Sequence, residues 1–189
     1  MTIPFGPPSQ PPRDMAQDAS QVQVGAPVAR QSRLLFPQAL HFVMSQEGKS
    51  DESMDMALAM GRGVQDNAVA EFQRRGGPAR PPRTASYNAQ RDYYTALYRD
   101  IWDHSGAADM PADLALVHFD AHVKDGPTAA RQLLARSQGV PMRYIGLRVA
   151  NWKTKENYDT NPGWIHKRLP ALSHGVSRLG PVEALNASR

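Results

Sequence analysis

Residues Met110 to Gly139 read MPADLALVHFDAHVKDGPTAARQLLARSQG, and their apolar spacing decides the fold class. Leu114, Val117 and Ala121 fall on one line of a helix, with Leu116, Phe119 and Val123 beside it, so much of the circumference is apolar. A helix apolar nearly all round belongs inside a bundle, and this one is expected to be central. Pro111 suits its first turn. Pro127 opens the next helix, through Leu133 and Leu134 to Gly139, because a proline there lacks only an N–H that a helix start leaves unbonded anyway.

The spacing stays helical on both sides. Phe36, Leu40 and Val43 stand at i, i+4 and i+7, predicting a helix over 35–47 stopped at Gly48. Met54 to Met60 and Val64 to Arg74 read as short helices separated at Gly61 and Gly63. Tyr87 to His104 reads as a longer one carrying Tyr94, Leu97, Tyr98 and Ile101. Pro141 opens a further helix through Tyr144, Leu147 and Trp152, and no segment of period two competes for a strand. The expectation is an all-α domain over 33–175. An extended arm rich in Pro and Gln precedes it over 1–32, a composition too polar to fold alone, and a tail follows over 176–189.

Composition narrows the chemistry. The 189 residues include no cysteine, so thiolate ligands, thiol nucleophiles and disulfides are excluded. The start, Met-Thr-Ile-Pro-Phe-Gly-Pro-Pro, lacks the basic and apolar regions of a signal peptide, and no run is long and apolar enough to enter a membrane. The net charge of +4 is unevenly spread. Glu47, Asp51, Glu52 and Asp55 form an acidic stretch, while Arg143, Arg148, Lys153, Lys155, Lys167 and Arg168 make the C-terminal part basic. Contact with an anionic wall and an ordinary solvated surface both fit that pattern. His118 and His122 share the i, i+4 spacing that can hold a metal, but no third ligand accompanies them, so packing or capping is expected and no metal or other cofactor. Gly61-Arg62-Gly63 follows no strand and precedes no Lys-Ser/Thr, which excludes a phosphate loop. Trp152 and Trp164 sit at helical spacing and are expected in the core rather than stacked on sugar.

Glu47 extends the Phe36, Leu40, Val43 line by four positions, which puts a carboxyl on the core-facing side of its helix. Burial disfavours the charged form of a carboxyl, as does the negative end of a helix dipole, and a group so placed is suited to giving up a proton. Glycosidic cleavage needs such a donor together with a second carboxylate or a positioned water, and Asp51, Glu52 and Asp55 are nearby. The alternative is a helix-end Glu turned to water.

The run Phe36 to Gly48 resembles the opening of glycoside hydrolase family 108, the phage-type N-acetylmuramidases, where an apolar helix ends in Glu-Gly-Gly whose Glu is the catalytic acid. Met110 to Gly139 is similar to that family's central segment and is the most specific match. Tyr93-Tyr94 with Trp102 resembles its Tyr-Trp helix, and Arg143-Tyr144 with Gly163-Trp164-Ile165-His166-Lys167-Arg168 resembles its closing motif. The resemblance covers residues 33–172 in order. It implies a lysozyme-like helical fold, Glu47 as acid, Asp55 as second carboxylate, and Gly48, Gly63, Gln65 and Lys124 along the substrate. The sequence departs from the family where activity is decided. Lys49 replaces the second Gly, Asp55-Met56-Ala57-Leu58-Ala59-Met60 replaces the Asp-x-Gly-Gly-x-Thr turn, Gly63-Val64-Gln65 stands for Gly-Ile-Thr, and Lys124-Asp125-Gly126 for Asn-Ser-Gly.

The expected role is therefore that of a peptidoglycan hydrolase-like protein of a phage virion. Its arm would lie on other phage structural proteins, with no membrane insertion and no specific nucleic acid. A structural or docking protein without activity is the first alternative. A holin-dependent endolysin, made in the host cytoplasm and released to the periplasm, is the second.

Overall fold

The computed structural model describes residues 34–48, 52–154 and 162–179, the last segment by backbone alone for 162–165. The expected arm, most of the expected tail, Lys49, Asp51 and Lys155 lie outside the described residues. Among those described, eight α-helices follow one another with no strand: α1 (Phe36–Glu47), α2 (Met54–Ala59), α3 (Asp66–Arg74), α4 (Tyr87–Ser105), α5 (Ala112–Asp125), α6 (Pro127–Ser137), α7 (Pro141–Lys153) and α8 (Pro162–Leu179). The domain is all-α, as the periodicity predicts. No described helix is long and apolar enough to cross a membrane.

α5 is the axis of the bundle. Every residue from Leu114 to Val123 is buried, and the helix packs against α4, α6, α7 and α8. A tight aromatic cluster ties three helices together, with Phe36 of α1, Trp102 of α4 and Phe119 of α5 at centroid separations of 5.2 to 6.3 Å and steeply tilted, a favourable arrangement of ring quadrupoles. The Arg99 guanidinium lies 3.9 Å over the Phe36 ring and closes the cluster from outside. Ser53 and Ser86 cap α2 and α4 by accepting from the N–H of Met56 and Ala89.

Three boundaries differ from the sequence reading for physical reasons. α3 begins at Asp66 rather than Val64, because Gln65 is extended (φ −95°, ψ 146°) and sends its side chain across to α5. α2 ends at Ala59 with Met60 as its cap. α8 continues to Leu179, so residues 176–179 of the expected tail are helical and Val176 is buried. Inside α8, Gly175 allows close packing on α5, since a β-carbon there would stand 2.9 Å from Leu116 Cδ2.

Candidate functional site: an ion-paired carboxylate where four segments meet

Glu47 closes α1, and its side chain is only 9% exposed, on the core-facing side that its spacing predicts. It is not turned to water. Its surroundings are cationic. Arg168 of α8 donates from Nη1 to Glu47 Oε1, and Lys124 at the end of α5 stands with Nζ 3.4 Å from Oε2. The two cations lie 121 and 77 residues further along the chain, so the fold assembles this centre.

Local structure explains how the carboxylate is held. The chain leaves α1 extended at Gly48, whose N–H bonds Met44 O, and a β-carbon at 48 would crowd that oxygen at 3.3 Å and Ala57 at 3.4 Å. The turn after α2 then folds back onto the carboxylate. Gly63 has φ +79°, and a β-carbon there would lie 2.6 Å from Glu47 Cδ; both the backbone and the space demand glycine. Gly61 has φ +62° and backs onto the Tyr94 ring in the same way. Between them, the Arg62 carbonyl accepts from the buried Tyr98 hydroxyl at 2.5 Å. Burial, and after it the Glu47 charge, push the Tyr98 phenol well above its ordinary pKa, so this hydroxyl keeps its proton and keeps donating. Gln65 reaches the end of α5, donating to Lys124 O at 2.6 Å and Val123 O at 3.4 Å, and so helps to position the segment that carries the Lys124 amine.

Of the residues expected at a site, Glu47, Gly48, Gly63, Gln65 and Lys124 therefore come together. Asp55 does not join them. It stands exposed in the first turn of α2 and makes no hydrogen bond or ion pair with Glu47 among the described residues. Glu52 instead binds Arg62, with Nε 3.2 Å from Oε2.

Behind Glu47 lies an ionic chain that spacing did not predict. Arg168 also donates from Nε and Nη2 to Asp120 Oδ1 at 3.0 and 2.7 Å. Asp120 Oδ2 accepts from Arg148 Nη1 at 2.7 Å, and Arg148 Nε donates to Asp125 Oδ2 at 2.7 Å. Trp152 Nε1 completes it at Asp125 Oδ1, 2.6 Å away, so this indole is occupied by hydrogen bonding to protein. The Asp120 and Arg148 side chains are fully buried. Burial alone would raise the Asp120 pKa, but Arg168 and Arg148 together outweigh it and hold the carboxyl below its ordinary range. Against burial, Asp125 and Asp120 push the Arg148 guanidinium pKa up, and Asp120 and Glu47 do the same at Arg168. Two arginines of the supposed basic surface are thus internal. The one available signal was Asp120 itself, a carboxylate on a helix apolar all round, which must find a partner to be buried.

His118 and His122 are packed in the core, 4.4 Å apart between ring centroids. His118 bonds the Tyr144 hydroxyl and Ser105 O, and His122 bonds His118 O. No group of three or more His, Cys, Asp or Glu able to hold a metal occurs among the described residues. Comparison with known proteins yields no matching family model, curated protein or solved structure.

Proposed function

We propose that the chain is a muramidase-like protein of a phage virion, directed at the glycan of the bacterial wall, with Glu47 as the residue that meets the scissile linkage. One observation carries the reading. Of the residues expected at the site from the resemblance, Gly63 and Lys124 close on the Glu47 carboxylate at the junction of α1, the Gly61–Gly63 turn, α5 and α8, and Gln65 holds the end of α5 that carries Lys124. Convergence of this kind is what a site needs, because catalysis depends on groups held in place before substrate arrives.

Chemically, Glu47 would protonate the glycosidic oxygen between N-acetylmuramic acid and N-acetylglucosamine, leaving an oxocarbenium-like centre for a second group to meet. As folded, both oxygens of Glu47 accept from cations. Acting as a donor therefore requires it to take up a proton and release Lys124 and Arg168.

A second reading, a structural or docking protein that retains the fold without the chemistry, is favoured by that same pairing. It is also favoured by α2, whose helix stands where the family has a glycine turn and leaves Asp55 facing outward. Fold by itself does not separate the two. A zymogram on purified peptidoglycan separates them. Lysis by the wild type that is lost in Glu47→Gln is the hydrolase outcome, whereas no lysis by either protein refutes catalysis and leaves the docking role.

A further inference from the structure

A groove of about 610 Å3, whose lining does not include Glu47, opens beside the Gly61–Gly63 turn, where α4 meets the Pro-rich loop before it. Arg62, Arg80 and Arg83 line it together with Met60, Gln90 and Tyr94, and Pro81 and Pro82 form part of its wall. Its shape is set in advance. Gly61 lies so close to the Tyr94 ring that a side chain there would strike it at 2.3 Å, and proline fixes the backbone φ at two lining positions, 81 and 82.

The three guanidinium groups are not equally engaged. Arg62 is paired with Glu52, and Arg80 donates to the Tyr94 hydroxyl at 2.9 Å and to Asp66 at 3.3 Å. The Asp66 side chain is 98% exposed, so this pair is an open surface contact that contributes little and is easily exchanged. The Arg83 side chain has no hydrogen bond or ion pair among the described residues; only its carbonyl is used, accepting from Gln90. One free fork, and one anchored at Nε by the Tyr94 hydroxyl but paired at Nη1 only with an exposed carboxylate, therefore face a single channel, and planar guanidinium groups bind phosphate oxygens two at a time. The groove's one aromatic ring, Tyr94, is buried and has Arg80 at 5.7 Å from its centroid, so no open face is offered for stacking a base.

We propose that this groove binds a strand of polyol-phosphate polymer from the bacterial wall, gripped through its phosphodiester groups by Arg83 and Arg80. The choice of a wall polymer among phosphodiesters rests on the reading of the chain as directed at the wall; the anionic, base-free character of the ligand rests on the groove alone. The site would hold the protein on the wall by contacts separate from Glu47.

The test is fluorescence anisotropy of the full chain with a labelled glycerol-phosphate oligomer, alongside single-stranded DNA carrying the same number of phosphates. Arg83→Glu is expected to weaken oligomer binding about tenfold or more at low salt, and Arg83→Gln to reduce the slope of log K against log salt by about one. Arg136→Glu, an equal charge change at an exposed position on α6, serves as the control and should leave binding within about twofold. Equal weakening by both reversals would reduce the effect to overall charge and overturn the site. Tighter binding of DNA than of the oligomer would overturn the ligand class, and no binding of the oligomer would overturn the proposal outright. Lysis that depends on Glu47 without oligomer binding would remove the groove and leave the wall-directed reading. Oligomer binding that depends on Arg83 without lysis would keep the groove and leave the docking role in place of catalysis.

Discussion

Asp120→Asn is the most informative perturbation, because it removes one charge from the middle of the ionic chain while nearly preserving volume. Asp120 is fully buried and accepts from Arg148 on one oxygen and from Arg168 on the other. The variant leaves two buried guanidinium groups facing an amide that cannot balance either. Removing one partner of a buried pair costs about 3–5 kcal/mol. The low end applies here, since Arg148 keeps Asp125 and Arg168 keeps Glu47. For a domain of this size about 3 kcal/mol lowers Tm by roughly 6–12 °C, readable by circular dichroism at pH 7. The pH dependence gives a second readout. A carboxyl whose folded pKa is held down contributes stability that is complete above its unfolded value of about 3.9 and is lost as pH falls through the folded value. The gap between wild type and variant should therefore narrow below about pH 4. A variant that melts within about 2 °C of wild type at pH 7 would show that the chain of charges does not hold α5, α7 and α8 together.

Gly63→Ala should destabilise the fold by about 1–2 kcal/mol from the left-handed backbone alone, and by more once its β-carbon pushes on the Glu47 carboxylate; urea unfolding at wild-type stability would contradict the packing described. Burial lowers the pKa of His118 and His122 to about 4, aided at His118 by the neighbouring His122 charge. Because unfolded His titrates near 6.5, stability should be full above about pH 6.5 and decline as pH falls toward about 4, a window above that of Asp120. His122→Gln should flatten this decline, and a decline of unchanged steepness would refute the assignment.

How much could be read in advance depends on whether the signal is local. The axis of the bundle was legible because Leu114, Leu116, Val117, Phe119, Ala121 and Val123 carry apolar groups round most of α5, and the helix is buried without a break from Leu114 to Val123. Proline at the first turn gave the starts of α6 and α7 for an equally local reason. α8 was not announced by periodicity. Pro170 and Gly175 lie inside it, residues that argue against a helix when taken alone, and it is held by tertiary contacts: Arg168 to Asp120 and Gly175 against Leu116. Val64 and Gln65 fit the helical pattern of α3 yet stay outside it, because Gln65 takes a better set of partners on α5.

The candidate site shows the same division. Spacing gave the direction of the Glu47 side chain, since the core-facing line of α1 is a property of twelve consecutive residues. It could not give the environment, which comes from Lys124 and Arg168 far along the chain. A buried carboxyl among apolar groups and one held between two cations look identical in sequence, yet the first is suited to giving up a proton and the second to anchoring helices. The ionic chain also explains why both roles are compatible with one fold. Asp120, Arg148 and Asp125 would keep α5 and α7 in register, with Arg168 held by Asp120, even if Glu47 let go of it. Freeing the carboxylate for chemistry would then cost its two links, to Arg168 and Lys124, and leave the rest of the chain in place, so the Glu47→Gln variant should remain folded. That makes the variant a fair test of catalysis rather than of stability.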